Sequence, residues 1–326
     1  MKNNKNTQKL SIIDKNLNIL QILDKYTTLY IQNKTALNLS KNSIYSIKVV
    51  LERFYDFVAE EFTENEIITI SDINKYFLSN YLNKLTTNNL NKNSQKLHLT
   101  IIKNFLQFLA DTDTHTYGQL KENINGLKIK TEHKEKESLT QNEQKLLLNY
   151  LTKLDSTNSF LSQRNSLLIK ILLYTGIRIS ELTNLKWEHI TEFNNNQELV
   201  YTLLIKGKGN KERYTYIVHN LISKNIAYLS ENSEKSEYIF TTTHGNICNR
   251  SVLFEVVKHI LSKAGITKTG LHIFRHTFAR TLVDRDINLS TIKDLLGHSN
   301  ITITAQFYAK SNENAKRTAL AKLKYK

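Results

Sequence analysis

The sequence predicts a mainly α protein with a small antiparallel β-sheet, an α+β fold in two domains. Three observations predict it. Apolar residues recur at spacings of three and four along most of the chain, the period of an amphipathic helix. One segment, LVYTLLIKGKGNKERYTYIV, places β-branched and aromatic residues on both sides of a Gly-rich turn, the pattern of a hairpin with its tip near Gly207–Asn210. A charged stretch with no apolar face, LKIKTEHKEKES, lies between the two parts.

The 326 residues are enough for two domains, and 40% apolar with 23% charged residues is the balance of a globular chain. Residues 1–126 form the first domain, 127–139 the linker and 140–326 the second domain. In the first, the segment from Ser40 sets Ile44, Ile47, Leu51, Phe54 and Val58 on one helix face, with Ser40 or Ser43 as N-cap. A weaker helix covers roughly Ser71–Leu85, and a further stripe runs through Leu97, Ile101, Phe105 and Phe108. Thr140 and Glu143 make a capping box that opens the second domain. The run SLLIKILLYTG, apolar nearly all round, predicts a buried helix stopped at Gly176. After the hairpin, helical patterning returns for Val252–Ala264, Ile273–Val283 and Leu289–Leu296, and the basic C-terminal stretch reads as a helix or tail.

Net charge is +15, so a polyanion is the expected partner. Residues 1–126 hold 15 Lys and Arg against 12 Asp and Glu, which leaves 30 against 18 in the rest, so most of that attraction lies in the second part. A single cysteine, Cys248, excludes a disulfide framework and a Cys-based zinc site and fits a reducing cytoplasm. The polar N-terminus carries no apolar run suited to a signal peptide or membrane helix, so a cytoplasmic protein without membrane contact is expected.

Four segments combine cations, imidazoles and a phenol. Thr175-Gly176-Ile177-Arg178-Ile179-Ser180-Glu181-Leu182 breaks a buried helix and delivers Arg178 at the start of the next, where its fork can meet a phosphate or simply pair with Glu181. Lys206-Gly207-Lys208-Gly209-Asn210-Lys211-Glu212-Arg213 puts lysines at a hairpin tip; its spacing is not that of a nucleotide-binding loop. His272-Ile273-Phe274-Arg275-His276-Thr277 sets His272 and Arg275 one helical turn apart, facing a common target. His272 and His276 lack a third ligand, so no metal is expected. Leu296-Gly297-His298-Ser299-Asn300 adds an imidazole, and Tyr308 follows.

Taken together and in this order, these segments resemble the tyrosine recombinases, the family of Xer proteins and phage integrases. Its signature is an Arg in TGxRxxEL, a hairpin Lys in GKGxK, then HxxRH, LGH and a late Tyr, and the motifs cover about residues 138–310. The resemblance implies a helical core-binding (SAM-like) domain followed by a catalytic domain, closing as a C-shaped clamp on DNA. It implies Tyr308 as the nucleophile that forms a 3′-phosphotyrosyl link, Arg178 and Arg275 as a phosphate clamp, and Lys208 as general acid. His272 would assist proton transfer and His298 would hydrogen-bond the phosphate. No cofactor, metal or nucleotide is implied. The implied partners are double-stranded DNA with a specific site, further copies of the chain up to a tetrameric synapse, and a DNA translocase or other accessory activator. The Xer-like segments NSLLIKILLYTGIR and LLIKGKGNK point to chromosome dimer resolution, with mobile-element integration or excision also open. Two other readings stay open: a catalytically silent DNA-binding protein, and a type IB topoisomerase. One departure bears on them, since Tyr308 lies ten residues after His298 where the family's usual spacing is nine. The β-branched run Ile301–Thr304 is a poor helix former, so an unwound or bulged segment there can absorb the extra residue.

Overall fold

In a computed structural model, the structure describes residues 17–65, 69–130, 137–195, 198–207, 211–233 and 236–297. Contacts divide the chain into two compact units, Met1–Lys134 and Glu135–Lys326. No helix among the described residues is long and apolar enough to cross a membrane.

The first unit is helical throughout its described residues: α1 (Ile19–Ala36), α2 (Lys41–Asn65), α3 (Lys75–Thr87), α4 (Lys92–Thr112) and the short α5 (Thr114–Tyr117) and α6 (Leu120–Ile124). Ser40 caps α2 by accepting from the Ser43 backbone N–H at 3.3 Å, and the Ile47, Leu51, Phe54 and Val58 stripe is buried. Two expectations are corrected. Ser71–Leu85 is not one helix: Ile70–Asp72 is a 3₁₀ turn, and Asn74 restarts the chain as α3 by accepting from the N–H groups of Tyr76 and Phe77. On α4, Leu97 is 48% exposed, while the polar residues Gln95 and His98 are buried. Each brings its own partner: Gln95 donates to the Leu90 carbonyl at 2.7 Å, and His98 Nδ1 lies 2.8 Å from the Tyr81 hydroxyl. A buried polar side chain is tolerated when it is hydrogen-bonded, so a stripe traced through apolar letters alone starts one residue off.

The second unit packs helices around a three-stranded antiparallel sheet. Its elements are α7 (Gln141–Asp155), α8 (Phe160–Thr175), α9 (Ile179–Leu182), β1 (Ile190–Asn195), β2 (Glu198–Lys206), β3 (Glu212–Val218), α10 (His219–Asn232), α11 (Arg250–Lys263), α12 (His272–Asp284) and α13 (Leu289–Leu296). The order β1-β2-β3 matches the expected hairpin, with β1 as an added edge strand. Tyr201, Leu203 and Ile205 on β2 face the core with Thr215 and Ile217 on β3, while Tyr214 and Tyr216 face out. The Thr140 and Glu143 capping box is present, at 3.2 and 2.7 Å.

The centre of this unit is α8, buried on nearly every side, as its composition requires. A polar network runs along one side of it. Lys170 Nζ donates to Asp155 at 2.7 Å and to Asn225 Oδ1 at 2.8 Å, and Asn225 donates to Asp155 and to Gln163. That network ties α7, α8 and α10 together.

Candidate active site

The site is built on helix ends. Gly176 ends α8 in the left-handed conformation at φ +61°, and Gly297 ends α13 in the same way at φ +63°. Both positions are also crowded: a Cβ on Gly176 would lie 2.6 Å from Phe278 Cδ1, and one on Gly297 would lie 3.0 Å from an Arg213 nitrogen, so a side chain at either requires its neighbour to shift. The carbonyls at these two ends converge on Arg275. Its Nη1 donates to Gly176 O at 2.9 Å and its Nη2 to Leu296 O at 2.6 Å. Helix C-termini carry partial negative charge and unpaired carbonyls, so a guanidinium bridging two of them is held by both. Among the described residues these two bonds engage two of its five N–H donors.

Arg178 is the N-cap of α9, and the Glu181 carboxylate one turn on accepts from its backbone N–H at 2.8 Å and from its Nη1 at 3.0 Å. The same carboxylate receives a bidentate fork from Arg213 on β3, Nη1 to Oε1 at 3.0 Å and Nη2 to Oε2 at 2.8 Å. Arg213 Nε reaches the Leu295 carbonyl near the end of α13 at 3.1 Å. Glu181 is 5% exposed and Arg213 14%, whereas the Arg178 side chain is 39% exposed. Burial pushes the Glu181 carboxyl up, but the bonds from Arg213 and from the Arg178 backbone overcome this and hold it below the usual carboxylate range. Burial, then repulsion from Arg178, pulls Arg275 down to about 9, so it is charged at neutral pH. Two guanidinium groups thus grip one carboxylate, with the third, Arg275, close enough to feel its charge, and the excess positive charge suits a phosphate.

The predicted residues fall as follows. Arg178 and Arg275 come into one electrostatic cluster. The i, i+3 spacing of His272 and Arg275 does not give them one environment: Arg275 is turned inward to the two helix ends and is buried, while His272 opens α12 exposed, its ring centroid 6.2 Å from that of His276. Lys206, near the hairpin tip, lies 3.9 Å from Glu212 across the ladder. Lys208, His298 and Tyr308 lie outside the described residues. Among the described residues, no group of three His, Cys, Asp or Glu side chains is placed to hold a metal. Sequence reasoning took Glu181 only as a pairing partner and gave Arg213 no role. Arg213 alternates with Thr215 and Ile217 onto the core face of β3, where a cation requires an acidic partner, but the more apolar-looking alternation is that of the outward Tyr214 and Tyr216, so the pattern by itself does not single Arg213 out.

The model of the phage integrase family matches residues 137–315, more than half the chain and all the motifs above. The chain belongs to the phage integrase family. Among curated relatives of this chain, tyrosine recombinase XerD of Rickettsia prowazekii is 31% identical over 294 residues, covering 86% of this chain and 91% of that one. Tyrosine recombinase XerH of Campylobacter jejuni is 30% identical over 241 residues, covering 72% and 66%. This chain is therefore an Xer-like tyrosine recombinase, an enzyme of DNA strand transfer. Solved structures share its fold: XerH site-specific recombinase bound to palindromic difH substrate, at TM-score 0.71, 24% identity and 88% and 82% coverage, and a lambda integrase dimer bound to a COC′ core site, at 0.64, 14%, and 92% and 80%.

Proposed function

We propose that this chain is a site-specific recombinase that cuts and rejoins duplex DNA through a 3′-phosphotyrosyl link to Tyr308, and that its task is chromosome dimer resolution in the cytoplasm. The observation that carries the reading is the arginine cluster about Glu181, which presents Arg178 and Arg275 with charge in excess of their single carboxylate. Attack by the Tyr308 phenol oxygen on the scissile phosphorus builds negative charge on the non-bridging oxygens, and fixed guanidinium groups stabilise that charge without reorganising. A phenol with an ordinary pKa of about 10 is a weak nucleophile at neutral pH, so its proton must leave as the P–O bond forms, and His272 takes it. The departing 5′-oxygen takes a proton from the Lys208 ammonium, and His298 donates a hydrogen bond to the phosphate. The phosphotyrosyl bond keeps the energy of the bond it replaces, and the released 5′-hydroxyl of a partner duplex reverses the step. No metal or nucleotide enters this balance.

The relatives support the biological role and the assembly. They include Xer recombinases, and lambda integrase has been solved as a dimer on a core site and as a tetramer on a Holliday junction. By the same fold this chain works as a dimer on each site and a tetramer in the synapse, with DNA as its partner.

A plasmid carrying two copies of a site found by DNA selection tests the reading. Incubated with the protein in EDTA and without nucleotide, it resolves into two circles, and Tyr308→Phe leaves it intact. Relaxation of the plasmid with no resolution would show a topoisomerase instead.

A further inference from the structure

Arg213 has no part in the clamp or the proton transfers above, yet its guanidinium joins three elements. It grips both oxygens of Glu181 on α9, donates to the Leu295 carbonyl near the end of α13, and belongs itself to β3, beside the hairpin tip. The pair it makes with Glu181 lies beside two glycines. A Cβ on Gly207 would lie 3.7 Å from Glu181 Oε1 and 3.9 Å from Arg213 Nη1, and a Cβ on Gly297 would meet the Arg213 guanidinium at 3.0–3.1 Å. Gly207 directly precedes Lys208, and Gly297 directly precedes His298. The Gly207 N–H also closes the root of the hairpin on the Lys211 carbonyl at 2.8 Å.

We infer that Arg213 is a positioning residue for strand cleavage: it locks the hairpin root and the end of α13 onto the carboxylate that orients Arg178, and so fixes the hairpin whose loop carries Lys208, the general acid of the reading above. The inference rests on the recombinase reading above and assigns a residue which that reading leaves idle. Two physical facts carry it. The bond is bidentate and largely shielded from water, so it fixes an angle as well as a distance; a lysine at this position keeps the charge and loses the fork. Arg213 also satisfies Glu181, whose carboxylate would otherwise cancel one of the two clamp charges.

The test uses the full chain in single turnover on a nicked suicide duplex, with either oxygen or sulfur bridging to the 5′-carbon of the leaving strand. A sulfur leaves as the thiolate and takes no proton, so it bypasses the general acid. On the oxygen substrate, Arg213→Met should cleave about 100-fold more slowly than wild type and Arg213→Lys about tenfold, with DNA affinity within about threefold of wild type. On the sulfur substrate, Arg213→Met should recover at least about tenfold, as Lys208→Ala does, while Arg178→Ala should not recover. Wild-type cleavage of the oxygen substrate by Arg213→Met, or an equal defect on both substrates, overturns the inference. If Arg213→Met shows no melting transition, the same comparison is read from Arg213→Lys. A wild-type chain that forms no adduct on either substrate overturns the recombinase reading, and the role of Arg213 with it.

Discussion

Glu181 holds a carboxylate among three arginines at 5% exposure, and such a group is worth most when every partner is present. Glu181→Gln keeps the shape and removes the charge, leaving the shielded Arg213 without its counter-ion, which costs on the order of 3 kcal/mol. The variant should melt at a lower temperature at pH 7. The effect depends on pH with a definite sign. The folded carboxyl titrates below its unfolded value of about 4.3, so its contribution is full above that pH and is lost as pH falls through the folded value. Melting temperature between pH 3 and 5 should therefore fall less steeply for Glu181→Gln than for wild type; parallel curves would show that the cluster does not hold Glu181 charged. At this scale the sequence was half legible. Arg178 and Arg275 stood out by motif, but on β3 the outward residues Tyr214 and Tyr216 look more like a core face than Arg213 and Thr215 do, and only the packing decides between them.

The elements were more legible than the contacts they make. Capping signals named the start of α7 and the stop of α8 correctly, because Thr140, Glu143 and Gly176 act locally on the backbone. α1, α10 and β1 were not read, and α4 was traced through the exposed Leu97 because its buried face begins with Gln95 and His98, whose partners Leu90 and Tyr81 come from elsewhere in the chain. The left-handed end of α8 gives a prediction at this scale. Gly176→Ala adds strain of about 1–2 kcal/mol from the positive φ alone. The added methyl also meets the Phe278 ring and the Leu296 side chain at 2.6–3.0 Å, beside the two carbonyls that Arg275 grips, so the position of that guanidinium should shift with it. Chemical denaturation should show that loss of stability at least, and cleavage should fall further than stability does. A variant with normal stability and activity would mean that α8 does not set the position of Arg275.

Across the whole molecule, charge was the most legible property and the catalytic chemistry the least directly visible one. The net charge of +15 comes mostly from residues beyond 126, where the family motifs also lie. Phosphate contacts should therefore dominate DNA binding, and affinity should fall steeply and linearly on a log–log plot against salt, with a slope of about −0.9 for each phosphate neutralised. A flat salt dependence would count against a basic DNA-binding face. The order of motifs gave the family because cations, imidazoles and a phenol at those separations serve one reaction. The nucleophile is what decides whether the fold is an enzyme of this type. The most direct measurement is incubation of wild type and Tyr308→Phe with a nicked suicide duplex carrying the selected site, followed by denaturing electrophoresis. A covalent protein–DNA adduct formed by wild type and absent in Tyr308→Phe is the predicted result; tight binding with no adduct, or an adduct that persists in Tyr308→Phe, would contradict it.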